Sequence, residues 1–282
     1  MYVCGQNEVI ERIDNLVDRN KMPRFSILVA PEGYGKKVVA EYIARKLNAH
    51  FVPYPCDVDS VRTAISAAYS NTEKALYMFF DCDNMSVNAK NAMLKVTEEP
   101  PNNAYFVMTI QNVSNALGTI ISRGTIFYLN EYNQKQLSDY IEWMNYSFSR
   151  KTISIINQIC TCPKDIQIAK EIDIEEMYAL ADKFIQLIGQ NNIANELKLV
   201  TKLSTKKDDK KMNPVLFLRC IMSCCRNYIV DCDVLEDIKA FHTIIAQTSK
   251  ALKELSTSGS NKQMVLDNYV LRTHMELTDG EL

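Results

Sequence analysis

Along the first 130 residues the apolar positions switch between two periods, and each switch predicts an element. Val9, Ile10, Ile13, Leu16 and Val17 recur at helical spacing over 7–21, whereas Phe25–Val29 is a short apolar run stopped by Pro31 and Gly33. That pair reads as a helix followed by a strand entering a loop. Val38, Val39, Tyr42, Ile43 and Leu47 then mark a helix, His50–Tyr54 a strand, Val58–Tyr69 a helix, and Leu76–Phe80 the most apolar strand candidate. A helix over 87–97 and strands at Ala104–Thr109 and Thr125–Leu129 follow. Alternating strands and helices predict an α/β unit with a parallel sheet.

Beyond residue 131 the strand pattern stops and spacings of three and four take over. Residues 131–172 predict a small helical unit, with Leu137, Tyr140, Ile141 and Met144 on one face and Ile153, Ile156 and Ile159 on another, closed by Cys162-Pro163. Met177, Leu180, Phe184, Leu187 and Ile188 then begin a bundle continued by 214–230, 234–255 and 262–277. The fold class is therefore α/β, then all-α. Two polar stretches, Ser204–Lys211 (STKKDDKK) and Ser256–Lys262 (STSGSNK), predict solvated loops.

Composition narrows the function. At 282 residues the chain is long enough for two or three units, and 47% hydrophobic with 23% charged residues is globular. A formal charge of −2 excludes the basic footprint of an autonomous nucleic-acid binder, so any DNA contact is expected to be local or shared with partners. The sequence contains neither a long apolar run nor a signal-peptide pattern, so a cytoplasmic protein with no membrane contact is expected. Nine cysteines, an odd number without a secretory signal, predict reduced thiols. Cys220, Cys224, Cys225 and Cys232 form the only cluster, and the apolar run VLFLRCIMSCC predicts packing rather than metal binding. His50, His242 and His274 stand far apart, so neither a metal site nor a Cys/His pair is expected.

Candidate chemistry lies in Ala30-Pro31-Glu32-Gly33-Tyr34-Gly35-Lys36-Lys37, between a strand and a helix. Backbone N–H groups and a helix N-terminus can cradle phosphates there. Compared with G-x-x-x-x-G-K-[ST], Gly35 and Lys36 are kept, Ala30 replaces the first glycine and Lys37 the hydroxyl residue. An ammonium cannot ligate a cation. Gly33, Gly35 and Lys36 are the candidate contacts of a weakened nucleotide site.

Residues 75–101, ALYMFFDCDNMSVNAKNAMLKVTEEPP, and 104–124, AYFVMTIQNVSNALGTIISRG, resemble the AAA+ subunits of bacterial DNA polymerase III clamp loaders. Asn91–Lys95 is similar to the family's N-A-L-L-K, Glu98–Pro101 to its L-E-E-P-P ending, and Thr119–Gly124 to its T-I-x-S-R-C. Gly5-Gln6, Val61-Arg62 and the final MVLDNYVLRTHMEL also resemble family features. The resemblance implies an AAA+ module with a P-loop-type parallel sheet over 1–130, a helical lid over 131–173 and a collar that mediates oligomerisation over 174–282. It implies gamma/tau and delta subunits as partners, with the sliding clamp and primer-template DNA reached through the assembly.

Three departures bear on activity. Without a gap, the family's magnesium-directing Asp falls on Phe80, its catalytic Glu on Asp81 and its final Asp on Asp83. A slip of one residue puts Asp81 on the first Asp and Cys82 on the Glu, so one acid is missing either way. With Lys37 in the hydroxyl position, the metal that stabilises phosphoryl transfer has lost its holders. The lid stretch Cys162–Ile166 also lacks the family's arginine. This combination resembles the delta-prime subunit, a non-hydrolysing stator whose S-R-C arginine, here Arg123, acts in trans on the neighbouring subunit's ATP. The resemblance implies no required cofactor, at most weak ATP or ADP binding, and no zinc module, since only Cys56 lies between the two nucleotide motifs. The alternatives are an active gamma/tau-like ATPase and a P-loop small-molecule enzyme.

Overall fold

The computed structural model describes residues 3–115, 118–190, 192–205, 213–256 and 260–278. Its first part runs α1 (Asn7–Asp18), β1 (Phe25–Val29), α2 (Lys36–Lys46), β2 (His50–Pro55), α3 (Val58–Ser70), β3 (Ala75–Phe80), α4 (Val87–Glu98), β4 (Ala104–Ile110), α5 (Gly118–Ile121) and β5 (Thr125–Tyr128). All strand pairings are parallel, in the order β2-β3-β4-β1-β5. β1 is buried along its whole length, which is why its sequence FSILV does not alternate. β2 carries Pro53 and Pro55, which lack the N–H that an interior strand needs, and it lies at the sheet edge. Stacked rings cross three strands, with the Tyr54 centroid of β2 6.4 Å from Tyr77 of β3, and Tyr77 5.4 Å from Phe106 of β4.

Side-chain caps set several helix starts. Asp57 accepts from the Ser60 N–H ahead of α3, and Ser86 from the Ala89 N–H ahead of α4. The remaining helices are α6 (Gln134–Trp143), α7 (Arg150–Ile159), α8 (Pro163–Glu171), α9 (Ile174–Gly189), α10 (Ile193–Thr205), α11 (Pro214–Asp231), α12 (Leu235–Ser256) and α13 (Lys262–Thr278). The chain divides into two compact units, Met1–Tyr140 and Ile141–Leu282. Within the second, the Phe184 ring of α9 packs against Phe217 of α11 and Tyr269 of α13, with both centroids 5.9 Å away. Asp165 at the start of α8 pairs with Arg219 of α11.

The predicted strands all form; the four-residue α5 and the longer α10 were not anticipated. α10 begins within a stretch that reads as polar because its buried positions are Glu196 and Val200, so a carboxylate stands where helical periodicity expects an apolar residue. The burial is made tolerable by His274 of α13, whose Nε2 lies 2.8 Å from both Glu196 carboxylate oxygens. Burial pushes the Glu196 carboxyl above the usual range, and His274 opposes that shift. Residues 206–211 of the first expected loop and 257–259 of the second lie outside the described residues; Ser204 and Thr205 belong to α10 and Ser256 to α12. Among the described residues no helix is long and apolar enough to cross a membrane.

Glu196→Ala removes the carboxylate that joins α10 to α13. A loss of about 1–3 kcal/mol is expected, read as a lower urea midpoint with an unchanged slope. Substituting exposed Lys198 by Ala is expected to move stability by less than about 0.5 kcal/mol. An unchanged midpoint for Glu196→Ala would contradict the tie.

Candidate functional site

The parallel sheet gathers the carboxyl ends of β1, β3 and β4 at one edge, where open α/β sheets bind ligands. There β1 passes into the loop of residues 30–37. Gly33 and Gly35 both take positive φ, +87° and +84°, a conformation that favours glycine, and Gly35 forms the N-cap of α2 without side-chain help. The first-turn N–H groups of α2 thus face the loop as in a phosphate cradle. Lys36 opens the helix, and its Nζ donates to the carbonyls of Ala30 and Pro31, the latter at 3.0 Å. Burial holds its ammonium below the usual pKa, opposed by Asp83, Asp81 and Glu32. Tyr132 covers the loop from above, its ring edge-to-face with Tyr34 at 5.7 Å and its hydroxyl donating to the Tyr34 carbonyl at 3.3 Å.

The end of β3 is followed by two acids, Asp81 and Asp83. Phe80 is 38% exposed at the strand terminus. Asp81 follows in a left-handed conformation, φ +56°, its N–H donating to Thr109 Oγ1 at 3.3 Å. The Asp83 carboxylate accepts from the Gln111 N–H at 2.8 and 2.9 Å and from the Asn112 N–H at 3.2 Å, which ties the turn after β3 to the end of β4. Lys37 is exposed and pairs only loosely with Glu41, at 3.9 Å. Gly33 and Gly35 thus shape a loop that opens onto the N-terminus of α2, and neither the phenyl ring of Phe80 nor the ammonium of Lys37 offers an oxygen ligand for a magnesium ion.

Arg123 is not part of this edge. Thr125 of β5 pairs with Ser26 of β1, so the turn holding Arg123 sits at the amino ends of the strands. From Ser26 to Ala30 the strand rises about 13 Å. Arg123 cannot serve the loop of its own chain. Its Nη1 donates to the Thr119 carbonyl at 2.7 Å and its Nη2 to Glu98 Oε1 at 2.6 Å. Gly124, where the family has cysteine, runs against the core: a Cβ there would lie 2.7 Å from Ile27 Cδ1 and 2.9 Å from Phe25 Cε1.

Residues 56–133 match the family model described as DNA polymerase III, delta subunit. These residues hold the end of β3, its acids, α4 and the Arg123 turn, the same stretch whose geometry is split between the two sheet edges. Over this stretch the chain is similar to the delta subunits of DNA polymerase III. The Arabidopsis thaliana protein STICHEL-like 3 is 23% identical over 257 residues, 78% of this chain and 23% of its own length. DNA polymerase III subunit gamma of Buchnera aphidicola (subspecies Acyrthosiphon pisum) is 22% identical over 173 residues, 50% of this chain and 48% of its own. The chain thus spans half or less of these curated relatives. In fold it is similar to a DNA polymerase III gamma subunit-related protein of Thermotoga maritima, with a TM-score of 0.52 at 17% identity, covering 95% of this chain and 99% of that one.

Of the expected site residues, Gly33, Gly35 and Lys36 come together and Arg123 stands apart. Sequence reading did not find Thr109 or Tyr132, which are joined to the site only by the fold, nor the pairing of Glu98 with Arg123. The only local sign was that Glu98 belongs to the E-E-P-P run. Cys220, Cys224 and Cys225 are buried, and burial pushes the Cys224 thiol to about 11 and the Cys225 thiol to about 12. None of the nine cysteines is in a disulfide. Among the described residues no group of three or more His, Cys, Asp or Glu could hold a metal.

Gly124→Ala is expected to lower stability by about 1–3 kcal/mol, because the added methyl must displace Ile27 or Phe25. Urea titration reads this directly. An unchanged midpoint would show that the core yields at that point.

Proposed function

We propose that this chain is a non-hydrolysing stator subunit of a DNA polymerase III-type sliding-clamp loader. Its Arg123 acts in trans on ATP held by a neighbouring subunit during clamp loading in DNA replication. The observation that carries this reading is the separation of Arg123 from its own loop by the length of β1. An arginine turned away from its own nucleotide loop is of use to a second subunit, where a permanent planar cation stabilises charge developing on the γ-phosphate. The loop at Gly33, Gly35 and Lys36 takes ATP or ADP weakly, without turnover and without a required cofactor.

Partners follow from the same reading: gamma/tau and delta subunits directly, and the sliding clamp and primer-template DNA through the assembly, in the cytoplasm. Residues 131–173 act as the lid and 174–282 as the collar. Exposed Met264, Leu271 and Met275, spaced seven and four along α13, support a collar helix that meets neighbours. A gamma/tau-like ATPase is the second reading, favoured by the proximity of Asp81 and Asp83 to Lys36.

ATP turnover separates the two. The isolated chain is expected to hydrolyse ATP at background rate, with no further loss in Lys36→Ala. Turnover comparable to a competent AAA+ subunit, abolished by Lys36→Ala, would establish the ATPase instead. In the reconstituted loader, Arg123→Ala is expected to assemble normally and to lower DNA- and clamp-stimulated hydrolysis. Full turnover would refute the trans role.

A further inference from the structure

In the free chain the charge of Arg123 is already answered. Glu98, the last residue of α4, holds Nη2 at 2.6 Å while the Thr119 carbonyl holds Nη1, so both terminal nitrogens of the guanidinium are engaged within its own unit. A phosphate gripped in the fork geometry of arginine draws on those same nitrogens. Glu98 is 53% exposed and Arg123 34% exposed. Water and ions reach the pair, and pairs of this kind shift an equilibrium by no more than about fivefold. The contact is strong enough to hold one orientation in an isolated chain and weak enough to exchange for a more highly charged anion.

We propose that Glu98 is a latch on Arg123: its carboxylate neutralises and orients the guanidinium until the phosphates of a neighbouring subunit's ATP displace it. The inference rests on the trans reading of Arg123. Glu98 touches no nucleotide and acts only through Arg123. A latch that competes with ATP makes engagement weaker at low nucleotide and leaves the engaged state unchanged, so its removal alters KM rather than kcat. Glu98→Gln tests this well, because it keeps the size and an acceptor oxygen while removing the charge.

The experiment compares native chain, Glu98→Gln and Arg123→Ala, each full length and reconstituted with the ATPase subunits of the loader. KM and kcat for ATP are measured, and in the free chain the rate at which phenylglyoxal modifies Arg123 is followed by peptide mass spectrometry. Glu98→Gln is expected to lower KM about two- to fivefold with kcat unchanged and to speed modification of Arg123 by a similar factor. Arg123→Ala lowers kcat. If Arg123→Ala lowers kcat while Glu98→Gln leaves KM or the modification rate unmoved, the latch is overturned and the trans reading stands. If Glu98→Gln lowers kcat, the carboxylate belongs to the engaged state and the latch is likewise wrong. If Arg123→Ala leaves kcat intact, the trans reading falls and the latch falls with it.

Discussion

Parallel strand direction is the constraint on which the rest depends. With all five strands running the same way, every β-to-α loop opens at one edge of the sheet and every α-to-β turn closes at the other. The loop following β1 and the acids following β3 are thereby forced together, and the turn preceding β5 is forced away from them. No side-chain rearrangement within one chain brings Arg123 to Lys36. The two edges of one domain are thus held apart, as the proposed trans role of Arg123 requires.

The loop edge holds its shape through backbone conformation and carbonyl contacts. Backbone conformation is kept by Gly33 and Gly35, and the Lys36 ammonium is satisfied by the Ala30 and Pro31 carbonyls. Asp83 serves as a cap, drawing the N–H groups of Gln111 and Asn112 onto its carboxylate. Phe80 and Lys37 are both solvent-accessible, so neither substitution disturbs the core. The arginine edge is fixed differently: Gly124 lets the turn lie directly on Ile27 and Phe25, which ties the position of Arg123 to the most buried strand of the sheet.

Much of this was legible in the sequence because burial dictates pattern. Phe25–Val29 and Leu76–Phe80 read as strands since a sheet buried on both faces admits only apolar runs, and Pro31 and Gly33 mark where the first must stop. The loop itself was legible because a strand-to-helix turn with left-handed backbone favours glycines such as Gly33 and Gly35. What stayed hidden depends on contacts distant in sequence. α10 was missed because a buried Glu196 breaks its apolar face, and the reason for that carboxylate, His274, lies 78 residues away. Glu98 and Arg123 are 25 residues apart on different elements, and no local spacing predicts their pairing. Tyr132 over Tyr34 is of the same kind.

The central claim is that the two sheet edges act on different nucleotides. It is tested most directly by single-turnover release of γ-phosphate from the one ATP that faces Arg123, in a reconstituted loader whose other ATPase sites have been silenced. With Arg123 replaced by Ala, release is predicted to slow by about 10³-fold or more, the usual contribution of an arginine supplied in trans. Release at the native rate from that site would contradict the account.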